Sequence, residues 1–355
     1  MAGGVGSRFW PLSRTAKPKQ FLDILGTGKT FLQQTFERFR NICHPENILI
    51  VSNKDYKEII LEQLPEVLEE NVLLEPMRRN TAPCIAYANY KIKEKNPEAN
   101  IIVAPSDHLI LNEAEFERVI RQGLDFVSKN DALLTLGIKP NRPETGYGYI
   151  QINQNQKIGE IECVPTKVKT FTEKPNLEMA KIFFESGEFF WNSGIFLWKL
   201  NSIMDAFDKH LSEVNELFKK GIGIYNTDEE HKFIDKTYSE SKNISIDYGI
   251  IEKADNVYVL CADFGWSDLG TWGSLYENSE KNEKLNSVIG KNVLLYDTKS
   301  SIIRMPDNKL AVIQGLKDYI VVESDGILLI CKKEDEQKIR LFVKDIKIKK
   351  GEEFV

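Results

Sequence analysis

The chain is 355 residues long, with 47 Lys and Arg against 53 Asp and Glu for a formal charge of −6. That length allows one large domain and a smaller one, and the weakly acidic balance excludes a broad cationic surface for nucleic acid, so any bound anion must be held locally. No apolar run reaches membrane-spanning length and the start lacks the basic flank and apolar stretch of a secretion signal, which predicts a cytoplasmic protein with no membrane partner.

The first element is a glycine-rich turn, Gly3, Gly4 and Gly6, followed by Ser7, Arg8 and, within a dozen residues, the run Pro18-Lys19-Gln20. Glycines let backbone N–H groups approach an anion closely, and Arg8 and Lys19 add charge that amides cannot supply. The stretch is therefore expected to handle the phosphates of a nucleotide or sugar phosphate. Such a loop normally follows a strand, yet only Met1 and Ala2 stand before it. The first strand is accordingly expected upstream of an internal methionine. Two decoys fall away: Gly28-Lys29-Thr30 looks like the end of a P-loop, but Asp23 stands where the first glycine is needed, and Phe9 occupies the third glycine position of a dinucleotide fingerprint.

Beyond the turn, β-rich runs at 47–51, 72–74, 101–104 and 132–136 alternate with helices that begin near Lys54, Ala82 and Glu113. That order predicts an α/β fold with a mostly parallel sheet. Arg79, Asn80 and Thr81 lie where a loop enters the second of these helices and can present amide, hydroxyl and backbone groups to a base. Ligands of open α/β sheets bind beyond the carboxyl ends of strands, and Pro105, Ser106, Asp107 and His108 directly follow the third run. Asp268, behind Ser267, sits in a similar turn. Each aspartate alone reads as a turn or cap residue; together they fit a magnesium site, because Mg2+ takes a few carboxylates and completes its shell with phosphate oxygens and water.

Further on, Gly146 and Gly148 around Tyr147 either admit a ligand closely or form a turn. Glu173 can accept bonds from hydroxyls, Lys174 can pair with a phosphate, and Asn192 offers both donor and acceptor. Asp247 stands just before a helical run and can serve as its cap. From about Asn286 closely spaced strands follow at 292–295, 310–313, 319–322 and 327–331. The change of period predicts a large domain over 1–284 and a small β-rich, β-helix-like domain over 285–355, with no internal repeat and no low-complexity linker. The five cysteines, Cys43, Cys84, Cys163, Cys261 and Cys331, are scattered and odd in number, which favours reduced thiols.

The motifs recur in one order: AGGVGSRFWPLSRTAKPKQFL at 2–22, EPMRRNTAP at 75–83, PSDH at 105–108, ETGYGYI at 144–150, FTEKP at 171–175, WNSGIF at 191–196, SIDYGIIEK at 245–253 and FGWSDLGTW at 264–272. This set resembles the signature of the sugar-nucleotide pyrophosphorylases, also called nucleotidyltransferases, and its PKQF portion is most similar to members that use GTP and mannose 1-phosphate. The resemblance implies a Rossmann-like, GT-A-like fold with a mixed sheet flanked by helices. It implies that Arg8 grips the triphosphate, Lys19 meets the reacting phosphates, and Asp107 and Asp268 hold Mg2+. Gly3, Gly4, Gly6, Ser7, Arg79, Asn80, Thr81, Pro105 and Ser106 would then surround the nucleotide, and Gly146, Tyr147, Glu173, Lys174, Asn192 and Asp247 the sugar phosphate. Tails of related proteins mediate dimer contacts, so a homodimer is a further expectation. Since the attacking phosphate oxygen is already ionised at neutral pH, no general base is needed, and His108 either orients Asp107 or packs. A transferase for another sugar and base, or a non-catalytic binding subunit, are the competing readings.

Overall fold

The structure, a computed structural model, describes residues 1–4, 7–152 and 164–355; Gly6 and Cys163 lie outside the described residues. The chain divides into two compact units, one of Met1–Gly3, Phe36–Pro105 and Ile110–Trp266, the other of Gly4–Thr35, Ser106–Leu109 and Ser267–Val355. Helix α1 (Phe31–Arg40) carries the chain from the second unit to the first.

In the first unit, β1 (Ile50–Asn53) and β2 (Val72–Glu75) pair in parallel, joined through helix α2 (Lys57–Gln63). The main chain of residue 2 lies against β1: Ala2 N donates to Val51 O and Ser52 Oγ to Ala2 O, each at 2.8 Å. The Met1 amino group donates to Ala104 O at 2.8 Å, and residues 1–4 form no strand. Helix α3 (Thr81–Lys95) follows β2 and leads to β3 (Asn100–Val103). Short strand β4 (Leu109–Ile110) precedes α4 (Glu113–Lys129), capped by Asn112, whose Oδ1 accepts from Glu115 N at 3.1 Å. Phe116, Val119, Ile120 and Val127 recur at helical spacing and are all buried, while the Glu115–Arg118 and Glu117–Arg121 pairs occupy the wet face.

The larger sheet adds β5 (Leu133–Ile138), β6 (Tyr149–Ile152), β7 (Thr166–Thr172), β8 (Phe189–Lys199) and β9 (Val257–Cys261). Its order is β3-β8-β5-β9-β7-β6, with β6 also pairing β8. The sheet is mixed, as the resemblance implied, and not mostly parallel: β5–β9 is parallel, while β8 runs antiparallel to β3, β5 and β6. The inversion comes from β8 and β7, each antiparallel to all its neighbours; β8 is largely apolar and buried along nearly its whole length, on both faces. Helices α5 (Leu177–Ser186), α6 (Leu200–His210), α7 (Ser212–Lys219) and α8 (Glu230–Glu240) complete this unit, and Asp247–Ile251 forms one wide helical turn. No helix among the described residues is long and apolar enough to cross a membrane.

After β10 (Trp266–Ser267), the second unit holds α9 (Trp272–Asn278), strands β11 (Ser287–Ile289), β12 (Val293–Tyr296), β13 (Ile302–Arg304), β14 (Ala311–Gln314), β15 (Tyr319–Ser324) and β16 (Ile327–Lys332), and helix α10 (Ile339–Lys350). β11, β13 and β15 stack in parallel and β12 stacks on β14, so successive coils lie on one another as in a β-helix. Ile302 pairs with Ile320 and Val293 with Ala311, at the same sequence interval. A repeat is present that side-chain identities do not display. Its apolar core includes Ile302, Ile320, Val322 and Ile339 together with Phe9, Trp10 and Trp272. Phe9 meets Trp272 edge-on at 5.1 Å, and burial of each such side chain is worth roughly 1.5–3 kcal/mol.

Candidate active site

In the second unit, Lys19 opens a short helical turn, Lys19–Phe21, with Pro18 just ahead of it and Phe21 fully buried behind it. Pro18 fixes the entry dihedral, so the turn presents Lys19 and Gln20 in set directions. Gln20 Nε2 donates to Gly4 O at 3.0 Å and anchors the glycine turn. The Lys19 ammonium, 3% exposed, donates to Asp107 O at 2.7 Å, to the Asp107 carboxylate at 3.3 Å and to Asp268 O. It also lies 5.2 Å from the Phe31 ring centre. A buried ammonium needs all its donors satisfied. Here that requirement clasps together two turns that are distant in sequence.

The clasp sets Asp107 and Asp268 on one cavity of about 230 Å³, lined also by Arg8, Phe9, Lys19, His108, Gly270 and Arg340. Burial alone would raise the Asp107 carboxyl, but Lys19, then His108 with Nε2 3.9 Å away, outweigh it and hold the group below its ordinary range. Asp268 Oδ1 accepts from Gly270 N at 3.0 Å. Arg8 Nη1 donates to Gly270 O at 3.4 Å, while its buried Nε has no partner among the described residues. The Ser106 hydroxyl is likewise buried without a partner there. A Cβ at position 270 would sit 2.5 Å from Asp268 Oδ2 and 3.1 Å from Arg8 Nη1, so only glycine leaves both groups where they are.

Two carboxylates, Asp107 and Asp268, on one cavity form a hard-oxygen donor set that fits a divalent cation whose shell is completed by phosphate and water. No cluster of three or more His, Cys, Asp or Glu suited to a metal occurs among the described residues.

In the first unit, Asn192 of β8 is buried and anchored on both sides: its Oδ1 accepts from Thr135 Oγ1 at 2.7 Å and its Nδ2 donates to Asp247 Oδ1 at 2.9 Å. Glu173, with a side chain 6% exposed, pairs with Lys174 Nζ at 2.6 Å. Burial and then the Glu173 charge push the Asp247 carboxyl up to about 6, against the bond from Asn192. Although burial works the other way, Glu173 holds the Lys174 ammonium above its ordinary range. A Cβ at Gly148 would fall 2.5 Å from Glu173 Oε2 and 3.2 Å from Asn192 Cβ, so this glycine is required by close approach. Gly146 N donates to Glu144 Oε1 at 3.0 Å, and Tyr147 stacks edge-on to Trp191 at 5.1 Å. Glu173, Lys174, Asn192 and Asp247 thus come together, with Gly148 beneath them.

The base-reading trio divides. Arg79 donates to Tyr238 O at 2.9 Å and Ser239 O at 3.3 Å, closing the end of α8, and Thr81 Oγ1 accepts from Ile246 N at 2.9 Å. Asn80, at φ 67°, is exposed and caps α3 through Thr81 N. Gly3 lies in the first unit, and a Cβ there would stand 3.4 Å from Glu75 Oε2. Pro105 packs near Gly194, whose Cβ position would be 3.7 Å from its ring. Sequence reasoning missed Gly270 and Arg340. Gly270 is legible as the second glycine of the FGWSDLGTW motif; Arg340 has no signal, since α10 lies in a stretch whose composition reads as a β-rich tail.

A nucleotidyl transferase family model matches residues 1–284, and a MannoseP isomerase/GMP-like beta-helix domain model matches residues 290–346. The chain belongs to the nucleotidyl transferase family, which generally uses a divalent metal ion. Mannose-1-phosphate guanylyltransferase of Escherichia coli (strain K12) is 35% identical over 353 residues, spanning 98% of this chain and 72% of that protein. The crystal structure named mannose-1-phosphate geranyltransferase from Thermus thermophilus matches with a TM-score of 0.87 at 28% identity, covering 98% of both chains. That of mannose-6-phosphate isomerase from Helicobacter pylori matches at 0.60 and 26%, covering 72% of this chain and 96% of that one.

Proposed function

We propose that this chain is a mannose-1-phosphate guanylyltransferase, joining GTP and mannose 1-phosphate to give GDP-mannose and diphosphate with Mg2+. The observation that carries the proposal is the Arg8, Lys19, Asp107 and Asp268 cavity, in a chain aligned along nearly all its length with relatives of that name. The reaction brings two anions together, and each pair of unit charges about 4 Å apart repels by about 4 kcal/mol at an effective dielectric near 20. Arg8 binds the triphosphate, Lys19 fixes the aspartate turns, and Asp107 and Asp268 hold the metal ion. That ion, when bound, supplies neutralisation of phosphate charge. Asn80 reads the base from the entry to α3. Glu173, Lys174 and Asp247 take the sugar phosphate, Asn192 sets the Asp247 carboxylate, and Gly146 and Tyr147 border them. In this reading residues 1–284 carry the transferase, residues 285–355 form the β-rich domain, and the enzyme works in the cytoplasm.

Diphosphate release across a panel of nucleoside triphosphates and sugar 1-phosphates tests the assignment. GTP with mannose 1-phosphate should be fastest; a preference for UTP or dTTP by more than about 10² would overturn it. The pH dependence gives a separate check. A carboxyl raised in the folded state favours folding below its ordinary range, and that contribution is lost as pH rises through about 6. Ionisation over that same interval makes the group an acceptor-only carboxylate and strengthens the bonds it takes from sugar hydroxyls. KM for mannose 1-phosphate should therefore rise several-fold from about pH 7.5 to about pH 5. The part of the rise due to Asp247, as distinct from titration of the substrate, should vanish in Asp247→Asn; an identical profile in that variant would remove Asp247 from sugar binding.

A further inference from the structure

The second unit places an unassigned cation on the phosphate cavity. Helix α10 is held to the N-terminal stretch: Ile339 is fully buried in the core shared with Phe9 and Trp272, and Trp10 Nε1 donates to Phe354 O at 2.8 Å just beyond the helix. The next residue, Arg340, is exposed and lines the cavity with Arg8. Among the described residues Arg340 makes no hydrogen bond or ion pair, and the acids near it in sequence are engaged elsewhere. Glu336 accepts from Gly273 N at 2.7 Å and Asp335 pairs with Lys338 at 2.7 Å. In the cavity itself, Asp107 pairs with Lys19 at 3.3 Å.

A lone exposed arginine is usually just solvated. Two guanidiniums on one cavity, one with a buried unpartnered Nε, are different, because they repel each other until an anion lies between them. Partial burial, and then the Arg8 charge, lower the Arg340 proton affinity, as expected for two cations lining one cavity. The planar fork of each guanidinium suits phosphate oxygens, and two forks suit a group with two linked phosphates.

We propose that Arg340 is a phosphate-binding residue that, with Arg8, takes the diphosphate portion of the nucleoside triphosphate, so that the C-terminal helix completes the nucleotide site. This deepens the transferase reading and rests on it. Titration calorimetry of the full chain with GTP, inorganic diphosphate and GMP tests it. Arg340→Ala and the stem-keeping Arg340→Gln should each weaken GTP and diphosphate by about tenfold to a hundredfold and leave GMP within about twofold, with Arg340→Lys in between. Unchanged GTP and diphosphate affinity in both variants, or an equal loss for GMP, overturns the inference. If Arg8→Ala weakens the two polyphosphates and the Arg340 variants do not, the inference fails while the transferase reading stands. If the unaltered chain binds neither GTP nor diphosphate, both fail.

Discussion

Lys19→Met is expected to lower diphosphate release by about 10² to 10³ and to destabilise the protein by about 2 kcal/mol or more. Methionine keeps the length and apolar stem of lysine, so Phe31 and Phe9 retain their packing partner, and the loss isolates the ammonium. Three acceptors lose their donor at once: the carbonyls of Asp107 and Asp268 and the Asp107 carboxylate. The carboxylate is a third exposed and water replaces much of what it loses, so the stability cost falls mainly on the carbonyls. The activity cost has another origin. Both aspartates sit in turns tied through that one nitrogen, and a displacement of about 1 Å in a reacting group costs about a hundredfold. Denaturant unfolding and steady-state kinetics separate the two effects; a large fall in stability with unchanged kcat would make Lys19 structural only. The pH response adds a signature. The depressed Asp107 carboxyl stabilises the fold above its ordinary range and loses that contribution as pH falls through its lowered value. Lys19→Met should remove this part of the acid sensitivity.

Asp268→Ala should keep the fold and lower diphosphate release by at least about 10². Its Oδ1 accepts from Gly270 N at 3.0 Å, so the carboxylate is aimed before any ligand arrives. The Lys19 bond goes to the Asp268 carbonyl, which alanine retains. The substitution therefore removes the proposed cation ligand without opening the clasp. The concentration of Mg2+ giving half-maximal rate should rise in the variant, and a chelator should abolish turnover in the unaltered chain. Release that is unchanged in Asp268→Ala would show that this carboxylate does not hold the metal ion.

The site was legible to the extent that its chemistry is carried by residue type in short motifs. Lys19, Asp107 and Asp268 announce charge and oxygen donors wherever the fold places them, and the structure brings them to one cavity. Engagement was not legible. Arg79 and Thr81 look like free recognition groups in a loop, yet their polar atoms satisfy main-chain groups at Tyr238, Ser239 and Ile246, because buried backbone must find partners first. Sheet direction was hidden for a related reason. A largely apolar run such as β8 reads alike in either orientation, and only its cross-strand register fixes antiparallel pairing. In the tail, α10 carries Ile339, Val343, Ile346 and Ile348, residues that suggest strand, and packing of Ile339, Val343 and Ile346 on the Phe9 core overrides that preference.

Arg304 of β13 donates through both terminal nitrogens to the carbonyls of Asp23 and Ile24, a few residues past Lys19. Ile302 and Ile339 share one apolar core with Phe9, so within the second unit the C-terminal stretch holds the segment around Phe9 and Asp23 in place. The β-helix coils are consequently not an interchangeable module. A tail grafted from a relative would have to match this chain's Asp23–Ile24 loop and Phe9 pocket, and drift in either stretch constrains which substitutions the other can accept.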